Sequence, residues 1–158
     1  SSISHRLHNN VENLTLTGAG ANYAIGNTLN NVITGNGAAN TLMGLDGDDS
    51  LYGGDGADTL TGGSGSDQFV YGAMSEADDA IVDFEVGASG DAVNLSTLLT
   101  NLGYAGSDAI GDGWVQSLQS GSDTLIQIDT NGGSDNFTTL ATLQTITETD
   151  LTAENWIL

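Results

Sequence analysis

The chain has 158 residues, with 21 acidic side chains against a single basic one, Arg6, and a formal net charge of −20 at pH 7. That balance excludes nucleic acid and anionic membrane surfaces as partners, because both need a basic patch against phosphates, and the absence of Cys excludes disulfide frameworks and thiolate metal sites. With 23 Gly, 16 Asp, 14 Asn and no Pro, short oxygen-bearing side chains sit on a permissive backbone, and metal cations are the natural partner.

Leu, Ile, Val and Phe supply only 37 residues. At this charge such a share sits barely above the disordered range, so stability has to come partly from something other than a core. No run of about 18 apolar residues is present, and no membrane insertion is expected.

Residues 1–16 read as a lead-in; its histidines, His5 and His8, flank Arg6 and are taken as an exposed pair rather than i, i+3 metal partners. A nine-residue period then sets in and holds from residue 17 to 71. Glycines stand at Gly26, Gly35, Gly44, Gly53 and Gly62, and an apolar side chain recurs at Ala24, Ile33, Leu42, Leu51, Leu60 and Phe69. The sixth position of each unit is Asn22, Asn31, Asn40, Asp49, Asp58 or Asp67, so an oxygen recurs in strict phase. A six-residue Gly-rich turn and a three-residue strand make half a coil, and two units complete one turn of a parallel roll. Strands this short cannot hold a fold alone. Residues 18 apart then face each other, so oxygens of stacked turns are placed to share a hard cation such as calcium, which takes six to eight oxygen ligands.

The last two units, GGDGADTLT and GGSGSDQFV, match G-G-x-G-x-D-x-U-x in full, and GLDGDDSLY lacks only its second Gly. On these residues the segment resembles the RTX proteins, calcium-binding bacterial proteins exported by type I secretion. The resemblance implies an all-β fold, a parallel β-roll of nonapeptide repeats followed by a non-repetitive β-rich C-terminal cap. It also implies several calcium ions held between adjacent coils by backbone carbonyls and sixth-position side chains. In this chain those ligands fall on Asn31, Gly35, Gly37, Asn40, Gly44, Asp46, Asp48, Asp49, Gly53, Gly54, Asp55, Gly56, Asp58, Gly62, Gly63, Ser64, Gly65 and Asp67. Pairing by 18 makes Asp49 with Asp67 the strongest couple and Asn22 with Asn40 a neutral one, so affinity is expected to fall toward the N-terminus. The side chains of Asp46, Asp48 and Asp55 are expected to raise the local potential while their carbonyls coordinate.

After Val70 the period stops, and residues 72–158 read as the cap. The stretch DAIVDFEVGASGDAVNLSTLL resembles the segment that follows RTX repeats, where the first Asp, here Asp79, ligates the last ion and the Leu-Ser begins a short helix; Asp79 to Phe84 alternates as a strand. Residues 114–119 and 124–129 read as a hairpin, with Leu125, Ile126 and Ile128 at or near the core side and a further strand near 136–142. The run Asp129 to Asp135 begins like an EF-hand loop but lacks its Gly at position six and its final Glu, and reads as a plain loop. Thr149 is the expected N-cap of a helical turn. The tail through Trp156 and Leu158 reads equally as a closing strand and as a type I export signal.

Neither G-x-S-x-G nor H-E-x-x-H occurs, no hydrolase triad is available, and the chain is not read as an enzyme. The flanks of the sixth positions are too irregular for an ice-binding face. Tyr23, Tyr52 and Tyr71 are expected to pack on the roll rather than form a sugar-stacking face. The expected function is a module that folds on calcium outside the cell, or at its surface, and supports type I secretion of a larger protein, with the secretion apparatus as partner. The alternative is a ligand- or glycan-binding module of an adhesin or polysaccharide-modifying enzyme, with calcium only structural.

Overall fold

The computed structural model describes residues 3–133 and 136–158. In chain order the strands are β1 (His5–Arg6), β2 (Asn13–Thr15), β3 (Tyr23–Ile25), β4 (Val32–Thr34), β5 (Thr41–Asp46), β6 (Ser50–Tyr52), β7 (Thr59–Ser64), β8 (Gln68–Val70), β9 (Asp79–Ile81) and β10 (Ala92–Asn94). Helix α1 (Ser96–Leu102) follows, then β11 (Val115–Ser120), β12 (Asp123–Asp129), β13 (Phe137–Leu143) and β14 (Trp156–Ile157). Up to β10 the chain alternates between two parallel sheets, the odd strands in one and the even strands in the other. This is a parallel β-roll.

Successive residues of a strand point to opposite faces, so a three-residue strand buries only its middle side chain. Leu14, Ala24, Ile33, Leu42, Leu51, Leu60, Phe69, Ile81 and Val93 are those side chains, and none is more than 6% exposed. Each contributes roughly 1.5–3 kcal/mol on full burial for a residue of Leu or Phe size, which is thin support for nine residues of ordered backbone.

The register explains where the period is visible. Leu42 lies beside Leu60 and Leu51 beside Phe69, 18 residues apart. Ala24 aligns with His5 and Ile33 with Leu14, 19 apart, whereas Ile81 aligns with Leu60 after 21 and Val93 with Phe69 after 24. The winding therefore starts before Thr17 and continues beyond Tyr71, with insertions that break the phase but not the sheets. The DAIVDF run is a strand over Asp79–Ile81 only, because it too serves as a three-residue coil strand with one buried residue.

The rest of the chain closes the roll. Strand β13 pairs parallel with β9 and antiparallel with β12, which pairs with β11 around the two-residue turn Gly121–Ser122. Ile126 and Ile128 are fully buried, and Leu125 is half-buried on the other face. Strand β14 adds to β10, and α1 buries Leu98 and Leu99. The closing strand is as expected, but Leu158 remains 43% exposed. Thr149 is not the cap residue: it lies within a 3₁₀ turn, Glu148–Asp150, and Thr152 precedes the next turn, where its backbone N–H donates to Asn155 Oδ1 at 3.0 Å. Buried Asn155 in turn donates to the Asp91 carbonyl at 2.8 Å, tying the tail to the roll. Of the EF-like run, Ser134 and Asp135 lie outside the described residues; Asn131 N–H donates to Asp129 Oδ1 and Gly133 N–H to Asn131 Oδ1, a locally closed loop.

Candidate calcium-binding turns

The turns stack in two columns because the strands they join do. Turns 26–31, 44–49 and 62–67 lead from the odd sheet to the even sheet, and turns 35–40, 53–58 and 71–78 lead back.

The acidic sixth positions form two ladders. Asp49, Asp58 and Asp67 each accept, on Oδ1, the backbone N–H of the sixth residue one coil earlier: Asn31 at 2.6 Å, Asn40 at 2.7 Å and Asp49 at 2.8 Å. Two residues of the cap continue the pattern across the longer coils. Asp79 accepts from Asp58 at 2.8 Å and Asp91 from Asp67 at 3.0 Å.

The second oxygen decides what the turns lack. Oδ2 of Asp49, Asp58, Asp67 and Asp79 is buried without a hydrogen-bond partner, and an unpaired buried carboxylate oxygen is costly unless a cation meets it. The oxygens of Asp49, Asp58 and Asp67 crowd the first Gly of their own turns, at Gly44 together with a backbone carbonyl and at Gly53 together with Asp79 Oδ2. A Cβ at Gly44 would strike Asp49 Oδ2 and the Gly62 carbonyl, one at Gly53 would strike Asp58 Oδ2 with Asp79 Oδ2 at 3.0 Å, and one at Gly62 would strike Asp67 Oδ2. A cradle of hard oxygens without nitrogen or sulfur fits calcium. Burial first of all pushes Asp49 and Asp79 up to about 7 and Asp58 and Asp67 up to about 6, against the lowering effect of the N–H each accepts. The buried Tyr71 hydroxyl lies beside Asp79: burial first, then the Asp79 carboxylate, raises its pKa well above the ordinary value, while the hydroxyl acts to lower that of Asp79.

The turns are of two kinds. In 44–49, 53–58 and 62–67 the second and fourth residues, Leu45 and Gly47, Gly54 and Gly56, Gly63 and Gly65, all have positive φ. Turns 26–31 and 35–40 have no positive-φ residue. There Asn31 and Asn40 turn Oδ1 inward to accept the N–H of Asn27 at 2.8 Å and Asn36 at 2.7 Å, within their own turns. The Asn31 oxygen still converges with the Gly44 carbonyl at Gly26, and the Asn40 oxygen with the Gly53 carbonyl at Gly35, so these cradles are neutral. A side chain at Gly37 would meet nothing.

Asp48 does more than raise the potential: it accepts Ser66 N–H at 3.0 Å, while its own N–H donates to Asn30 Oδ1 at 3.0 Å, an outer ladder at the fifth position. Asp46 and Ser64 lie opposite each other in β5 and β7, and the Ser64 carbonyl accepts Gly47 N–H at 2.9 Å. Asp55 raises the pKa of Asp58 by its charge. Sequence reasoning missed Asp83 and Asp91. Asp83 accepts Gly62 and Gly63 N–H at 3.0 and 2.9 Å, and Asp91 Oδ2 accepts Glu85 N–H at 2.9 Å. The available signal was Asp91-Ala-Val, which repeats Asp79-Ala-Ile. Tyr23 and Tyr52 stand exposed on different sheets while Tyr71 is buried, so the three share no face.

Residues 16–44 and 34–69 match the family of the RTX calcium-binding nonapeptide repeat. Residues 16–69 are RTX repeats. As such they bind calcium, several ions across the stack. Two solved structures share the fold: the AlgE6R2 subunit of the Azotobacter vinelandii mannuronan C5-epimerase, 26% identical with a TM-score of 0.58, over 83% of this chain and 89% of that one; and the AlgE6R3 subunit of the same enzyme, 26% identical with a TM-score of 0.62, over 91% of this chain and 77% of that one. No curated protein matches the sequence. The RTX repeats thus occupy the middle of a roll whose two ends, residues 5–15 and 79–94, follow the same winding without the repeat sequence.

Proposed function

We propose that the chain is a calcium-triggered folding module of a larger extracellular or cell-surface protein, and that it supports that protein's passage through a type I secretion apparatus. The observation that carries this reading is the set of four buried carboxylate oxygens without partners, on Asp49, Asp58, Asp67 and Asp79. Calcium, when bound, supplies positive charge and coordination to those oxygens. The chain's own residues do the rest: Asp Oδ1 fixes the spacing of successive coils, the Gly turns bring carbonyls close, and the buried column of apolar side chains keeps the strands in register. A site with Kd of about 0.1 mM adds about 1.4 kcal/mol to the folded state at about 1 mM free calcium. Several such sites match the stability of an ordinary domain. At cytosolic calcium that support is gone, which suits export of an unfolded chain. Asp79, Asp49, Asp58 and Asp67 are the side-chain ligands, with backbone oxygens of the Gly turns beside them.

The module is structural rather than catalytic on this reading. A glycan-gripping role is the weaker alternative: a net charge of −20 repels a polyuronate such as the mannuronan named for the epimerase, and the exposed tyrosines do not form a platform. Limited proteolysis tests the switch. Cleavage throughout residues 44–94 in EDTA and resistance in millimolar calcium are expected; resistance in both would overturn the proposal.

A further inference from the structure

The N-terminal turns lack the unpaired carboxylates, and another group crosses their gaps. At the second position of the repeat, where the C-terminal units carry Gly54 and Gly63, turns 26–31 and 35–40 carry Asn27 and Asn36. Asn27 is 6% exposed. Its Nδ2 donates to the carbonyls of His8 at 2.9 Å and Val11 at 2.7 Å in the preceding coil, while its Oδ1 accepts Leu29 N–H at 2.9 Å and Asn31 Nδ2 at 3.3 Å. Asn36, half-buried, makes a slighter version in the other column: Nδ2 donates at 3.0 Å to the exposed Gly20 carbonyl, which also accepts Asn22 Nδ2 at 2.9 Å, and Oδ1 accepts Ala38 N–H at 3.0 Å. A carboxamide NH₂ aimed at backbone oxygens of the neighbouring turn performs the task of a cation in such a gap, satisfying carbonyls that would otherwise face one another.

We propose that the Asn27 and Asn36 carboxamides stand in for ions in the two N-terminal gaps between turns, so that these gaps are closed without calcium. This rests on the calcium reading only for the C-terminal half; the amide clamp stands on its own bonds. The roll then has a permanently bonded N-terminal section and an ion-dependent section beginning at Asp49. The second position marks the boundary: an Asn with negative φ closes the gap itself, whereas a residue with positive φ leaves it to an ion.

The test uses the full chain with Asn27→Gly and, separately, Asn36→Gly, which restore the repeat's own glycine. Thermal melting in saturating calcium and ion counting by native mass spectrometry are both read. Asn27→Gly, losing two inter-coil bonds, is expected to lower the melting temperature by about 4–8 °C, and Asn36→Gly, losing one, by about 2–4 °C. Neither loss is recovered at tenfold higher calcium, and neither changes the number of ions bound. Unchanged melting in both variants overturns the proposal, as does loss of a bound ion. Should Asn27→Gly not fold, Asn36→Gly and the ion count of the unaltered chain decide: more ions than the acidic gaps can hold overturns it. Failure of the calcium reading looks different, since the unaltered chain would then bind no calcium while the variants still lost stability.

Discussion

Asp49 shows in one side chain what a cation is proposed to do in these turns. Its Oδ1 receives an N–H from the coil before, and its Oδ2 is buried with nothing to receive. The folded pKa of about 7, against an ordinary value of 3.8, means that the metal-free fold prefers this group protonated. A raised carboxyl pKa favours the folded state most below the unfolded value, near pH 4, and that advantage is lost as pH rises through 6 to 7. The metal-free chain is therefore expected to melt at higher temperature at pH 5 than at pH 8 in EDTA. In calcium the order reverses in effect, because protons compete for the same oxygens, and the calcium midpoint moves upward as pH falls from 7.5 to 5.5. Circular dichroism melts and titrations at these pH values check both; a metal-free chain that loses stability on acidification to pH 5 would contradict the assignment. The same logic ranks substitutions. Asp58→Ala or Asp67→Ala removes both an inter-coil acceptor and a cradle oxygen and is expected to raise the calcium midpoint several-fold, while Asn22→Ala, whose Nδ2 reaches only Gly20 within its own turn, leaves it unchanged. Calorimetric titration of the variants distinguishes them, and equal effects would speak against the cradle geometry.

At the scale of the turn and strand, glycines of the same repeat differ in conformation and in what surrounds them. Gly56 has φ +111°, and a Cβ there would lie 3.0 Å from Ala38 C and Ala39 N of the stacked turn, whereas Gly37 is open. Gly56→Ala is expected to cost about 2 kcal/mol or more, from strain and from collision with backbone, and Gly37→Ala close to nothing. Chemical denaturation in calcium measures the difference; parity would mean that the turns are not packed as described. Leu45 holds φ +92° where its sister turns have Gly54 and Gly63, so the unit that lacks its second glycine keeps the glycine conformation. This turn was readable from the sequence because the six-residue spacing and the sixth-position acid fix it even with one residue changed. The Asn27 and Asn36 bonds were not readable, since their partners His8, Val11 and Gly20 lie 16 or 19 residues back in a region where the repeat motif is faint or absent. Asp83 and Asp91 were missed for a related reason: coils of 21 and 24 residues carry the ladder forward after the period has gone.

For the molecule as a whole, one buried side chain per half-coil and a charge of −20 leave a fold that repels itself unless cations neutralise the turns. The roll, its sheet alternation and the two acidic ladders, Asp49 with Asp67 in one and Asp58 in the other, followed from a strict repeat, because in a solenoid each unit contacts only its neighbours and local pattern is also global structure. The cap follows other rules. Strands β11 to β13 pair antiparallel, and β14 reaches β10 from 62 residues away, so no period could place them, although the hairpin itself was visible from its alternation. Closing strands on both sheets cover edges that would otherwise be open to pairing with other chains, and the Asn155 bond to Asp91 joins that closure to the acidic ladder. Calcium is proposed to complete this fold. Far-UV circular dichroism of the full chain in EDTA, followed by a calcium titration with magnesium as the control cation, tests it most directly. A spectrum that gains substantial β structure with a sub-millimolar to millimolar midpoint in calcium and not in magnesium is the predicted result; a chain already fully β-structured in EDTA, with a melting temperature that ignores calcium, would contradict it.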